Sequence, residues 1–311
     1  MNTKKVLVIG SLNMDFVVEV SQLPAVGETV LGGDMNTIPG GKGGNQAFAA
    51  GKLGGSVALL GCVGDDSFGT VLLDSLSMAN VDTSYVRRTK KTGTGIAMIW
   101  VDKSANNSIV VSPSANSLCL PEYLSENRFL LEQCTHLVLQ MEIPLKTVHS
   151  AIETAHELNK CIILNPAPVP DVISQEIFKH VDYITPNETE LQKLLQMWYP
   201  EKEWDVNSIE SIVQGAQKIS ADLGCKVLVT AGEQGAILVT KNEHKHYPAK
   251  KVNAIDTTAA GDCFTAAFAV ALSEEKSESD AILFANAAAS VTVTRKGAQT
   301  SLPTRDETDN A

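Results

Sequence analysis

His136-Leu137-Val138-Leu139-Gln140, then Met141-Glu142-Ile143-Pro144, then Leu145 onward to Cys161-Ile162-Ile163-Leu164-Asn165: this stretch, residues 136–165, decides the fold class. Its two ends are short, continuous apolar runs of the kind that fill strands buried on both faces. Between them Pro144 opens a helical pattern in which Val148, Ile152 and Ala155 share one face. Strand, crossover helix, strand is the repeating unit of a parallel sheet. Runs of the same type recur at residues 6–10, 57–61, 181–185 and 226–230, separated by further helical patterns. The expectation is an α/β protein: a central, mainly parallel sheet flanked by helices on both faces, a Rossmann-like three-layer arrangement with right-handed crossovers.

Two segments break the rhythm. Residues 15–38 read as strand, turn (Leu23-Pro24-Ala25-Val26-Gly27) and strand, with no helix. Residues 93–112 repeat that pattern, with strands at 95–101 and 108–112 around a polar turn at 102–107. Four strands from two distant segments can form a second small sheet over one edge of the main domain. The expected division is therefore residues 1–12, 39–92 and 113–311 in the main α/β domain, and 13–38 and 93–112 in a β-sheet lid. One face of such a lid stays apolar and uncovered, so a homodimer contact is expected there.

Hydrophobic residues make up 44% and charged residues 20%, an ordinary globular profile. A net charge of −11 without a long basic stretch argues against nucleic acid as a partner. Cys62, Cys119, Cys134, Cys161, Cys225 and Cys263 form no Cys-x-x-Cys pair and several sit in apolar runs, as expected of thiols in a reducing compartment. Lys4-Lys5 precedes an apolar run too short for a signal-peptide core, and no apolar stretch approaches the ~20 residues needed to span a bilayer. A cytosolic protein is expected.

Five segments carry chemistry. Asp256-Thr257-Thr258-Ala259-Ala260-Gly261-Asp262 is a turn of small residues that opens into an apolar helix, after an extended segment at 251–255. Backbone N–H groups and the positive end of a helix dipole converge there, suiting a negatively charged group, and Asp262 supplies a base in the first turn. Pro39-Gly40-Gly41-Lys42-Gly43-Gly44-Asn45-Gln46 is a flexible glycine-rich turn. It fails the P-loop spacing, since no Ser or Thr follows Lys42. Gly10-Ser11-Leu12-Asn13-Met14-Asp15 places Asn13 and Asp15 beyond the first strand, where open α/β sheets bind ligands, and Glu142 follows a buried strand to the same edge. In Thr185-Pro186-Asn187-Glu188-Thr189-Glu190, Asn187 and Glu190 share a helix face, compatible both with a capping box and with water-coordinated Mg²⁺. Thr230-Ala231-Gly232-Glu233-Gln234-Gly235 is a loop suited to backbone contact with a nucleotide.

In this order these elements, with the tail Thr294-Arg295-Lys296-Gly297-Ala298-Gln299, resemble the ribokinase/PfkB-type carbohydrate kinase family from Val6 to Pro303. The resemblance implies a ribokinase-like fold and ATP-dependent phosphorylation of D-ribose at O5. It implies that Asp262 is the catalytic base and that Ala259, Ala260 and Gly261 form the anion hole. Asn13, Asp15, Gly41, Lys42, Asn45 and Glu142 match ribose-binding positions. Asn187, Thr230, Ala231, Gly232, Glu233, Gln234, Gly235, Gly261 and Asn286 would surround ATP, with Glu190 organising Mg²⁺ through water. Asp256, Thr258, Thr292, Arg295, Gly297 and Ser301 match a monovalent-cation site that takes K⁺, mostly through backbone oxygens.

The family usually carries Gly where this chain has Ala259; Ala there points toward its ribose-specific members, and a negative φ would keep the N–H available. Residues 196–206 read as a surface loop holding two tryptophans, His244-x-His246 as a solvated turn, and Thr304 to Ala311 as a frayed end. His149 and His156, seven apart on one helix, read as structural. Other acceptors (deoxyribose or a nucleoside) and a catalytically silent sugar- or nucleotide-binding regulator are the alternative readings.

Overall fold

The computed structural model describes residues 5–104 and 106–311; Lys4 and Ala105, within the basic pair and the 102–107 turn, lie outside the described residues. In chain order the strands are β1 (Val6–Ile9), β2 (Asn13–Val20), β3 (Gly32–Gly40), β4 (Val57–Gly64), β5 (Val86–Thr89), β6 (Gly95–Val101), β7 (Asn107–Ser112), β8 (His136–Leu139), β9 (Cys161–Leu164), β10 (Tyr183–Ile184), β11 (Lys226–Thr230), β12 (Ala236–Val239) and β13 (His244–Tyr247). The helices are α1 (Lys42–Lys52), α2 (Ser67–Met78), α3 (Pro121–Glu126), α4 (Arg128–Gln133), α5 (Leu145–Glu157), α6 (Glu188–Trp198), α7 (Ile209–Leu223), α8 (Ala260–Ser273), α9 (Glu278–Thr292) and α10 (Arg305–Asp309).

Among the described residues a nine-stranded sheet runs β13-β12-β11-β10-β9-β8-β1-β4-β5. Every pair from β11 to β5 is parallel; only β12 and β13 run against their neighbours. Alternation along β1 shows why both faces must be covered. Leu7 and Ile9 join the cluster under α5 and α7, with Val148, Ile152, Ile212 and Ile219. Val6 and Val8 join the opposite cluster with Ala47 and Ala50 of α1 and Phe264 and Phe268 of α8. The continuous apolar strands are thus buried on both sides, as a parallel sheet requires. No described helix is long and apolar enough to cross a membrane.

A separate four-stranded sheet has the order β3-β2-β6-β7. Its register starts at the main domain's edge: Asn13 pairs with Gly40 on one side and with Gly95 on the other. Asp66 ties this edge down, accepting from Thr94 N at 2.8 Å, from Thr94 Oγ1 at 2.6 Å and from Gly69 N at 2.8 Å.

Four sequence expectations give way. The C-terminal residues are not frayed: Thr304 and Glu307 form a capping box for α10, and Arg305 bridges Glu274, Asp309 and Leu53 O. Residues 196–206 are not a plain surface loop, because α6 continues to Trp198 and Trp204 is buried in the core beside Tyr199. His244-x-His246 is no turn but edge strand β13, paired with β12. The expected strand at 181–185 shrinks to Tyr183–Ile184, because Val181 closes a turn onto Phe178 and the Asp182 carboxylate takes the Ile162 N–H at 2.7 Å. The cysteines are free and mostly buried, as expected. On α5 His149 lies 3.8 Å from Glu153 and His156 stacks on His180, both surface contacts.

Candidate active site

The carboxyl end of β1 is packed flat against the glycine-rich turn. A Cβ on Gly43 would meet Gly10 C at 2.6 Å, and one on Gly41, at φ +81°, would meet Asn13 N at 2.6 Å. Glycine is therefore required here by close backbone approach as well as by conformation. Glu142, just past β8, closes the junction: its Oε2 accepts from Ser11 Oγ at 2.5 Å and from Lys42 N at 3.0 Å. Asn13 is oriented by a residue the sequence did not single out. Asn116 accepts from Leu12 N at 2.9 Å, donates to Leu12 O at 3.1 Å and donates to Asn13 Oδ1 at 2.8 Å. With its oxygen held, Asn13 has only its NH₂ to offer a ligand.

Four carboxylates act on the charge of Lys42. Burial would lower its ammonium, but Asp262, Glu142, Glu190 and Asp15 outweigh burial and raise it above the ordinary lysine value. Asp15 is raised to about 7, by burial first, then by Glu142 and Asp262, against the lowering effect of Lys42. Asp262 is raised by burial, opposed by Lys42 and by hydrogen bonds from Asn45 and Gln46. Those bonds run from Asn45 Nδ2 to Oδ2 at 3.1 Å and from Gln46 Nε2 to Oδ1 at 2.9 Å. Asn45 Oδ1 is buried with no protein partner, an orphaned acceptor beside Asp262 that a ligand hydroxyl can satisfy.

Asp262 is the third residue of α8, and Ala259 caps that helix. Here the sequence expectation is corrected: Ala259 has φ 59° and ψ 8°, left-handed rather than negative-φ. The reason is the turn before it. Asp256 Oδ1 accepts from Thr258 N and Oγ1, and Asp256 Oδ2 accepts from Gly297 N at 2.8 Å, pinning the loop before the helix starts. Burial would raise Asp256, yet these bonds hold it below the ordinary carboxylate value. Ala260 N donates to Thr257 O at 3.2 Å, while a Cβ on Gly261 would meet nothing within 4 Å. The segment 251–255 joins no strand.

Across this turn lies the second group of expected residues. Asn187 and Glu190 form a complete capping box for α6, so each side chain spends one oxygen on backbone N–H. Glu190 is raised by burial, against the lowering effects of its bond from Asn187 N and of Lys42. A cavity of about 180 Å³ runs between Lys42, Asn187, Glu190, Thr230, Gly261 and Asp262. The 230–235 loop closes on itself through Ala231 N to Gly235 O at 2.7 Å, leaving the Glu233 and Gln234 side chains exposed. Asn286 holds the neighbouring chain by donating to Tyr247 O at 2.9 Å. A larger cavity of about 840 Å³ separates the small sheet, at Asp15 and Ile38, from the loop at Asp256, Thr258 and Gly297.

Of the expected cation residues, Asp256, Thr258 and Gly297 are joined in that loop, and the side chains of the others are committed elsewhere. Thr292 Oγ1 donates to Ala288 O and Ser301 Oγ to Ala298 O. Arg295 turns to Glu307. What they can offer an ion is backbone oxygen, a donor set that fits a hard monovalent cation. Among the described residues no group of three His, Cys, Asp or Glu side chains is set to hold a metal. With no such group, Glu190 fits Mg²⁺ carried by phosphates and water rather than by a protein cage.

One arrangement thus joins a buried carboxylate at a helix start, a glycine-rich junction and a cavity that reaches Asn187, Glu190 and Thr230. The model of the pfkB family of carbohydrate kinases matches residues 3–305. A ribokinase of Haemophilus influenzae is 39% identical over 306 residues, covering 98% of this chain and 97% of the relative. A deoxyribokinase of Salmonella typhi is 35% identical over 307 residues, covering 97% of this chain and 96% of its own. The structure of Arabidopsis thaliana ribokinase complexed with ribose and ATP superposes with a TM-score of 0.89 at 32% identity, covering 99% of this chain and 98% of that one. Fold, site and relatives agree on an enzyme that phosphorylates a sugar with ATP, and the chain belongs to the pfkB family of carbohydrate kinases.

Proposed function

We propose that the sugar is D-ribose and that the phosphoryl group goes to its O5. The observation that carries this is the buried Asp262, gripped by two amides and set between the junction at Asn13, Asp15 and Glu142 and the groove at Asn187 and Thr230. The Arabidopsis relative, whose structure holds ribose and ATP, supports the choice of acceptor. In this reading Asn13 donates and Asp15 accepts at adjacent sugar hydroxyls, and the orphaned Asn45 Oδ1 accepts another. The sugar O5–H gives its proton to Asp262 as O5 bonds to the γ-phosphorus; the bond from phosphorus to the β-bridging oxygen breaks, and ADP leaves with that electron pair. Lys42 and the Ala259 and Gly261 N–H groups at the start of α8 meet the charge spreading over the transferring oxygens, joined by Ala260 N once it leaves Thr257 O. Asn187, the 230–235 loop and Asn286 border the nucleotide.

Bound Mg²⁺ would supply charge neutralisation between the phosphates, with Glu190 orienting its water shell. Bound K⁺ would supply a fixed positive charge, held by backbone oxygens near Asp256, Thr258, Thr292, Arg295, Gly297 and Ser301. The small sheet acts as a lid that shields the larger cavity from water. Its other face carries exposed Met35, Met98 and Val110, the surface on which a second copy would pair.

The test is ADP release from purified enzyme with MgATP against D-ribose, 2-deoxyribose and a nucleoside panel, with and without K⁺, and phosphorus NMR of the product. Ribose turnover to the 5-phosphate is expected. Ribose that releases no ADP while deoxyribose does would overturn the choice of acceptor, and binding without any turnover would establish the silent-regulator reading.

A further inference from the structure

We propose that Gln46 is the positioning residue for Asp262, its amide locked in one orientation so that it always presents a donor to Oδ1 of that carboxylate. This rests on the reading of Asp262 as the base. The lock is visible bond by bond. Gln46 Nε2 donates to Asp262 Oδ1 at 2.9 Å and reaches Asn165 Oδ1 at 3.3 Å, while Gln46 Oε1 accepts from Gln140 Nε2 at 2.6 Å. Asn165 cannot offer the opposite face, because its Nδ2 is committed to Thr185 O at 2.9 Å. Turning the Gln46 amide over would set its oxygen against two acceptors, Asp262 Oδ1 and Asn165 Oδ1, in a region where Gln46 and Gln140 have no solvent exposure. An unrelieved acceptor pair there is prohibitive.

Two consequences separate this role from packing. Asn45 and Gln46 are adjacent at the start of α1 and grip different oxygens, so the plane of the carboxylate is fixed from two sides. A donor aimed at the ionised form also opposes the burial that favours the neutral acid. The base therefore stays ready to accept the O5 proton in a place where solvent cannot stabilise it. Gln46 touches no reacting atom; it acts through Asp262.

The test replaces Gln46 with Met, close in shape but without a donor, and follows ribose phosphorylation across pH beside Asp262→Asn. For Gln46→Met, kcat at neutral pH is expected to fall about 10-fold, with KM for ribose within about twofold and the acid limb of the kcat profile moved up by about one pH unit. A uniform loss across pH with the limb unmoved would mean packing alone and would overturn the proposal. So would a kcat within twofold of the parent while Asp262→Asn is inactive. If Asp262→Asn keeps its turnover, the base assignment fails and this inference with it. Should Gln46→Met fail to fold, Gln46→Glu keeps the shape and shares a proton with Asp262. Its rate is then expected to fall on the alkaline side as that proton leaves, and an alkaline limb matching the parent would overturn the proposal.

Discussion

Replacing Ala259 with glycine isolates the strain that the 256–262 turn stores. Ala259 sits at φ 59° and ψ 8°, where a Cβ crowds the following carbonyl. That conformation costs an L-residue roughly 1–2 kcal/mol relative to its preferred ones. Glycine removes the crowding but returns about 0.4–1 kcal/mol of unfolded-chain entropy. The partly buried methyl packs on the α8 core, and losing it costs at most a few tenths of a kcal/mol, part of the ~0.8 for a fully buried methylene. The balance favours glycine by about 0.5 kcal/mol, a small rise in Tm. Ala259→Val carries the opposite sign and a larger size, because a branched Cβ in the left-handed region is a true outlier; a loss of about 2 kcal/mol or more is expected. Urea melts of the three proteins at equal concentration, paired with kcat, decide it. For glycine kcat should stay within about twofold, since the backbone donors are unchanged. A glycine variant less stable by about 1 kcal/mol, or a valine variant matching the parent, would refute the left-handed assignment and the strain argument built on it.

Three further outcomes are expected. Asp262→Asn should lower kcat by about 10²–10⁴ with little change in KM, checked by coupled ADP release. Asn116→Ala frees the Asn13 amide and unclamps Leu12, so KM for the sugar should rise about 10-fold with kcat less affected, and unfolding free energy should drop by about 1–3 kcal/mol. Asp15, raised to about 7, gives two pH signatures of opposite direction. On the proposed role of Asp15 as hydroxyl acceptor, KM for the sugar should climb as pH falls below about 7. The ligand-free fold binds that proton more tightly than the unfolded chain, so this group's stabilising contribution is complete below its unfolded pKa of about 3.9 and lost as pH rises toward 7. Asp15→Asn should accordingly raise the ligand-free Tm at pH 8 and leave it nearly unchanged at pH 4, measured by scanning calorimetry.

The parallel sheet was readable because runs such as Cys161 to Leu164 are apolar at every position, which only a doubly covered strand tolerates. Asn13, Lys42 and Asp262 stood out in the sequence because each lies at the start of a strand or helix. What the motifs hid was set by distance along the chain. Asn116 meets Leu12 across 104 residues and Gln46 meets Asp262 across 216; no local pattern marks Asn116 or the bond between Gln46 and Asp262. The sign of φ at Ala259 was hidden for the same reason in a turn held by Gly297, and Trp204 read as loop because its burial depends on Tyr199 and α7.

The sheet order places β1, β4 and β8 to one side of β9 and β10 to β13 on the other. Every residue assigned to the sugar except Asp262 comes before residue 143, and every residue assigned to the nucleotide comes after 186. On the proposed assignment, the two specificities, Asp262 apart, lie on separate lengths of chain. A recombinant crossing over within β9 would exchange the acceptor while keeping the nucleotide partner. The condition for viability is local: α8 must still seat on α1, two helices whose Ala47, Ala50, Ala266 and Ala267 lie buried in one core cluster.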